Sequence, residues 1–161
     1  MSIVSYLAAP PSAIQQCSNP GATIVSCFPT DRTTVYQGDT IDFVWNSNLP
    51  EFAQSGIVDI KVFRALGDIE PSVLGLYNIT NPTDGSAGKI TVDVADSWFD
   101  GPYTGVNIST PFFFTIAPSG TIPQKQPTFR AIQTGPGSNS SFPSKTMASG
   151  SAVANATAST I

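Results

Sequence analysis

The sequence predicts an all-β fold, an antiparallel β-sandwich of about seven short strands. Three observations predict it. Several short runs alternate between apolar and polar residues, which is the period of a strand with one buried face. Clusters of Gly, Pro, Asn and Asp separate these runs, as turns do in sandwiches. No stretch of about ten to twelve residues shows the period of an α-helix. A small barrel is the alternative arrangement.

The clearest alternation places Ile41, Phe43 and Trp45 on one face of a strand, whereas Asp42 and Asn46 occupy the other face. We therefore expect Ile41, Phe43 and Trp45 to form the core of the sandwich. Short strands at this spacing, without helices, favour an immunoglobulin-like arrangement. The predicted strands lie near residues 22–28, 33–36, 40–47, 57–64, 72–79, 88–94 and 111–117, with a weaker one near 103–108.

Charge and composition divide the chain into three parts. All eleven acidic residues lie between Asp31 and Asp100, whereas the segment 119–161 contains bases but no acid. That segment is rich in Ser and Thr and has no periodic apolar face, so it cannot bury enough surface to offset the entropy of ordering. We expect a disordered, O-glycosylated stalk there, the alternative being a plain flexible linker. The immunoglobulin-like domain would then span residues 22–118, and residues 1–21 would form a leader or linker.

The composition excludes several classes of function. The chain of 161 residues contains no histidine, which removes Ser-His-Asp and Cys-His nucleophiles and His-based zinc or copper sites. A net charge of −4 argues against nucleic-acid binding, which needs a cationic face. No apolar run approaches the ~20 residues of a membrane-spanning helix.

The carboxylates are dispersed over turns and outward strand positions, so no pair is aligned for glycoside hydrolysis. Asp93, Asp96 and Asp100 would be hard oxygen ligands for Ca²⁺, but their spacing differs from that of the twelve-residue calcium-binding loop. We therefore expect a protein that is not an enzyme, with no catalytic residue, no cofactor and no metal site.

Cys17 and Cys27 are the only cysteines, so a single intramolecular pairing exists. A turn signal, Asn19-Pro20-Gly21, lies between them. We expect a disulfide that joins the leader to the first strand, as in proteins of oxidising compartments. The alternative is two free thiols in a cytosolic protein.

Four Asn-x-Ser/Thr sequons together suit a secreted glycoprotein. They predict N-glycans at Asn78, Asn107, Asn139 and Asn155. The first two lie at predicted strand ends, where an added glycan stays in solvent.

Two aromatic residues, Trp98 and Tyr103, lie in a loop-like segment. An aromatic side chain in a loop can stack on a sugar face or anchor a partner, which makes both residues candidate glycan or partner contacts. The alternative for Trp98 is that it caps one end of the sandwich core.

Several segments, taken in order, resemble a fungal cell-surface domain. Phe28-Pro29-Thr30 followed by the segment 34–45, with a Gly before a strand that ends in Trp, resembles the opening of that domain. The segments 58–63, 93–98 and 111–116 resemble its later landmarks. The family is the Kre/Knh-type N-terminal domain of yeast cell-wall synthesis proteins, together with related Ser/Thr-rich fungal surface proteins.

The resemblance covers residues 22–118 and implies an immunoglobulin-like fold, secretion, heavy glycosylation and a place in or near the cell wall. Some members are linked to β-1,6-glucan assembly, without an established catalytic motif. Met1 is followed by no nearby basic residue, so residues 1–21 make a poor secretory signal. We expect the signal peptide and a membrane anchor to belong to a longer precursor.

The expected function is that of a non-catalytic secreted or cell-surface glycoprotein domain with a structural, adhesive or glucan-assembly role in the fungal cell wall. The alternative is a carbohydrate-binding module that recognises a β-glucan through its aromatic loop. The expected partners are cell-wall polysaccharides or cell-surface proteins, with no nucleic acid and with membrane contact only through an anchor.

Overall fold

A computed structural model describes residues 5–135 of the chain. In this range ten strands form two mixed sheets that face each other as a β-sandwich, and two short helices flank them. The strands are β1 (Tyr6–Leu7), β2 (Ser26–Phe28), β3 (Thr34–Tyr36), β4 (Thr40–Trp45), β5 (Ile57–Arg64), β6 (Ser72–Thr80), β7 (Gly88–Asp93), β8 (Ile108–Pro118), β9 (Gln124–Lys125) and β10 (Phe129–Gln133). The helices are α1 (Pro11–Cys17) and α2 (Pro50–Ser55), and a 3-10 turn spans Asp96–Trp98.

Strand β4 is the centre of the first sheet. It pairs with the antiparallel strand β7 on one side. On its other side it pairs with β1, which is parallel, and with β2, which is antiparallel. The second sheet has the order β3-β10-β8-β5-β6, and β9 precedes β10 along the same side of β8. In this sheet β3 and β10 are parallel.

The core lies between the two sheets, and the prediction that Ile41, Phe43 and Trp45 belong to it is confirmed because all three are buried. The ring of Phe43 stacks on that of Phe114 from the opposite sheet, with ring centroids 4.7 Å apart. Trp45 lies against Gly88 on the neighbouring strand β7, and a Cβ atom at position 88 would collide with its indole ring. Burial of aromatic side chains of this size is the largest source of stability in a small sandwich.

The prediction that the domain ends at Pro118, and that residues 119–161 form a disordered stalk, is wrong for residues 119–135. Strand β10 lies inside the second sheet, between β3 and β8. Phe129 is fully buried, and its ring centroid lies 6.1 Å from that of Phe112. A five-residue strand with one aromatic anchor contributes little to the mean composition of a 43-residue segment, so the compositional argument overlooked it.

The remaining part of that segment, 136–161, lies outside the described residues. The predicted glycosylation sites Asn139 and Asn155 lie there as well.

The prediction that residues 1–21 form a leader or linker is wrong for the described residues 5–21. Strand β1 extends the first sheet, and helix α1 packs against β2 and β4 with Ala13 and Cys17 buried. This N-terminal layer covers the outer face of the first sheet. Asp42 and Asn46, which the alternation placed on a solvent face, are therefore buried.

The Cys17–Cys27 disulfide is confirmed, with its Cα atoms 6.0 Å apart. It joins the end of α1 to β2, and both cysteines are buried. The disulfide therefore fastens the N-terminal layer to the sheet that it covers.

The expectations of a purely antiparallel fold and of an all-strand chain need correction. The β1–β4 and β3–β10 pairs are parallel. Both helices begin with Pro, a residue that favours the first helical position. They have only six or seven residues, which is too short for a helical period to show in the sequence. The weak strand near 103–108 does not form, because residues 101–107 belong to the loop that leads into β8.

Candidate functional site

The candidate site is a cleft at one end of the sandwich. Strands β3 and β10 end there side by side, and β8 begins there opposite the end of β10. The long loop between β7 and β8 folds over this end. The cleft has a volume of about 260 Å³ and is lined by Gln37, Asp96, Gly101, Pro102, Tyr103 and Gln133.

Gln37 is a polar group of the cleft whose side-chain amide is hydrogen-bonded at both ends. Its Oε1 accepts a hydrogen bond from the backbone N–H of Thr134 at 2.8 Å, and its Nε2 donates to Oδ1 of Asp96 at 2.6 Å. The turn that carries Gln37 continues through Gly38, whose φ of 87° favours glycine. The amide is thus fixed between the last strand and the 3-10 turn.

Gln133 holds the opposite side of the cleft. It is the last residue of β10 and is buried, and its Nε2 donates to the carbonyl oxygen of Gly101 at 3.0 Å. This bond fixes the loop that carries Tyr103. The cleft therefore depends on the strand β10.

Tyr103 forms an aromatic wall of the cleft. Its role as a glycan or partner contact stays a prediction, and the cleft is the surface at which that contact would form. Its ring lies against Gly135, where a Cβ atom would come within 2.6 Å of a ring carbon. Its hydroxyl donates to Oδ1 of Asn107 at 3.3 Å. A glycan on Asn107 would therefore begin beside the cleft.

Trp98 does not lie at the surface, and the prediction that it contacts a glycan or partner is wrong for this structure. The 3-10 turn directs it inward, where its side chain is only 1% exposed and its ring centroid lies 5.4 Å from that of Phe112. Phe99 packs edge-on against the same ring. The alternative interpretation, that Trp98 caps one end of the core, matches its position.

The cleft combines an aromatic wall with two side-chain amides, a carboxylate and a backbone carbonyl. Such a set suits a small neutral ligand with several hydroxyl groups, because the ring can pack against an apolar face while the polar groups fix its orientation. Its volume of about 260 Å³ lies just below the ~300–1,000 Å³ typical of ligand pockets. It therefore fits one small unit better than a long chain.

Asp42 is the most buried carboxylate of the described chain, but its contacts are structural. It accepts hydrogen bonds from the Tyr6 hydroxyl, the Ala9 backbone N–H at 2.9 Å and the Thr91 hydroxyl at 2.6 Å. Burial by itself raises the pKa of Asp42, but the hydrogen bonds from Thr91, Ala9 and Tyr6 outweigh it and hold the pKa below its ordinary value. The carboxylate fastens β1 and the segment after it to the first sheet.

The remaining site residues are distributed over the surface. Asn78 is exposed within β6 and Asn107 is exposed in the loop before β8.

Within residues 5–135 no three Cys, Asp or Glu side chains are arranged to hold a metal ion. In the same range no helix has the length and apolarity needed to cross a membrane.

A search of protein-family models found none that matches this chain, and a search of curated proteins found no match either. The contacts described above therefore carry the functional argument.

Sequence reasoning missed most of the cleft. No sequence pattern singles out Gln37, and Gln133 lies in the segment whose composition predicts disorder. Asp96 was considered only as a calcium ligand. The signal that could have identified Gln133 is the alternation of Phe129, Ala131 and Gln133, which marks a short strand.

Proposed function

We propose that this chain is a non-catalytic secreted or cell-surface glycoprotein domain with a structural, adhesive or glucan-assembly role in a fungal cell wall. The observation that carries the proposal is the buried Cys17–Cys27 disulfide, because disulfides persist in oxidising compartments outside the cytosol. The exposure of the sequon residues Asn78 and Asn107 supports it, since N-glycosylation needs an accessible side chain.

We further propose that the sandwich is immunoglobulin-like. The pair β4–β7 and the order β3-β10-β8-β5-β6 correspond to the B–E pair and to the A′-G-F-C-C′ sheet of such domains. Two features depart from antibody domains: no described strand corresponds to D, and no disulfide joins the strands equivalent to B and F. Phe43 of β4 and Phe114 of β8 instead stack across the core between these two strands.

The cleft favours a second function, carbohydrate binding. In this alternative Tyr103 replaces Trp98 as the aromatic contact for one sugar unit of a β-glucan, and the side-chain amides of Gln37 and Gln133 hold the segments that frame the cleft. The exposed carboxylate of Asp96 and the chain's net charge of −4 favour a neutral saccharide over an anionic one.

The proposed location is tested by fractionating cells that produce the chain naturally. We expect an antibody against residues 5–135 to detect the chain in the medium or the wall fraction. Alkylation after denaturation without reductant should find no free thiol on it. Recovery from the cytosol with two alkylated cysteines would contradict the proposal.

The binding function is tested with oxidised, secreted protein and insoluble β-1,3-glucan, β-1,6-glucan and chitin. We expect Tyr103→Ala to lower retention on the bound polysaccharide at least fivefold. Tyr77→Ala is the matched control, because Tyr77 is exposed on β6 and lies outside the cleft. Equal retention of the two variants, or no retention of the unmodified protein, would leave the structural role as the better proposal.

A further inference from the structure

The strand β6 forms the longest edge among the described strands of the two sheets. It has nine residues, pairs only with β5 among residues 5–135, and contains neither a charged residue nor proline. The opposite edge strand of that sheet, β3, has only three residues, and the edge strand β7 carries the exposed charges of Lys89 and Asp93. An exposed, apolar and uncharged edge offers unpaired backbone groups to another chain, and soluble proteins usually protect such an edge.

The side chains of β6 increase this tendency to associate. Four of them, Val73, Leu74, Leu76 and Ile79, contact the core but are only partly buried. Tyr77 is 59% exposed. Its ring lies over Gly75, where a Cβ atom would come within 2.8 Å of the tyrosine oxygen. The margin of the sheet therefore combines partly buried apolar side chains and an exposed aromatic ring with an edge that has no second strand partner among residues 5–135.

A sequon lies within this strand, at a point where the pairing with β5 is irregular. Two residues, Tyr77 and Asn78, face the single residue Asp59. Asn78 has a left-handed backbone, with φ of 56°, and its N–H donates to Oδ1 of Asp59 at 2.9 Å. The bulge leaves Asn78 exposed, immediately next to the exposed ring of Tyr77.

We propose that Asn78 carries an N-linked glycan whose role is to cover the β6 edge and keep it from pairing with a second copy of this chain. A glycan is large, hydrated and attached at the edge itself, so it blocks the approach of another strand. It supplies the protection that charge and proline provide at other edges. The exposed Tyr77 ring offers the first sugar an apolar surface for packing. This inference rests on the proposed secretion of the chain.

The experiment uses the full chain secreted from a eukaryotic host. Two variants remove the sequon by changing different residues of it. Thr80→Ala keeps Asn78, and Asn78→Gly keeps the left-handed backbone, which glycine adopts without strain. Thr80→Ser, which retains the sequon, and Asn107→Gln, which removes the sequon in the loop before β8, are the matched controls.

Mass spectrometry measures occupancy, and sedimentation velocity over a hundredfold range of concentration measures self-association. We expect Asn78 to be occupied in the parent protein. Thr80→Ala and Asn78→Gly should each tighten self-association at least tenfold, and both controls should behave as the parent does. Adding Tyr77→Lys to Thr80→Ala should restore the monomer, because a charge on β6 opposes pairing of like strands.

Two outcomes would overturn the inference. One is an unoccupied Asn78 in secreted protein that carries a glycan on Asn107 and no free thiol, a result that leaves the proposed extracellular function intact. The other is folded Thr80→Ala and Asn78→Gly protein that stays monomeric over the whole range of concentration.

Discussion

Removal of the Phe129 side chain tests the inclusion of residues 119–135 in the fold. Phe129 is fully buried, and its ring packs against Phe43 and Phe112, with centroids 6.2 Å and 6.1 Å away. Phe129→Ala therefore loses the transfer free energy of a buried ring and leaves a cavity between two sheets that are held apart by neighbouring rings. Such changes cost about 3–5 kcal/mol.

A loss of this size is a large part of the ~5–15 kcal/mol that stabilises a typical domain. For a domain of about this length, each kcal/mol corresponds to about 3–4 °C in Tm, so we expect Tm to fall by about 10–20 °C. The free energy of unfolding is measured by urea denaturation, with tryptophan fluorescence and circular dichroism as independent probes.

Ile122→Ala is the matched control, because Ile122 lies in the same segment but is 89% exposed. We expect it to change the free energy of unfolding by less than about 0.5 kcal/mol. A chain shortened after Pro118 should lose its cooperative transition, since it lacks β10 between β3 and β8. A loss below about 1 kcal/mol for Phe129→Ala would refute the placement of β10 in the core.

Three further predictions follow from other contacts. Gly88→Ala should destabilise the domain by more than about 2 kcal/mol in urea denaturation, because the new methyl group collides with the Trp45 indole; a neutral result would show that the ring can move. The lowered pKa of Asp42 contributes stability that is present above its unfolded pKa of about 3.8 and is lost as the pH falls through the folded pKa. Acid titration should therefore show a smaller loss of stability below about pH 4 for Asp42→Asn than for the parent protein. Identical acid profiles would contradict this. Reduction of the Cys17–Cys27 disulfide should lower the free energy of unfolding by about 2–3 kcal/mol, as expected for a short closed loop. An unchanged midpoint in reductant, with both thiols shown to be free, would refute that value.

The sequence by itself determined the strands that alternate strongly. Strands β5 and β7 are predicted because their apolar and polar residues alternate over five positions, and β4 and the second half of β8 because every second residue is apolar. Both patterns are local properties that need no knowledge of neighbours. The Cys17–Cys27 pairing was equally accessible, since two cysteines allow one intramolecular connection.

Tertiary structure alone decided what covers each surface. The Asp42 face of β4 carries a charged residue and looks like a solvent face. It is buried because α1 and β1 return to it from about thirty residues earlier in the chain, and because hydrogen bonds from Tyr6, Ala9 and Thr91 satisfy the carboxylate. No local pattern contains that information, since a buried carboxylate and an exposed one occupy the same position in an alternating sequence.

The cleft depends on the tertiary structure in the same way. Gln37, Gln133 and the pair Asp96 and Tyr103 come from three separate parts of the chain and meet only because β10 lies between β3 and β8. Trp98 points inward because the 3-10 turn after β7 ends above Phe112, whereas Tyr103, five residues later, remains at the surface. The sequence placed both aromatic residues in one loop, but only the packing of that loop on the end of the sandwich decided which of them joins the core and which lines the cleft.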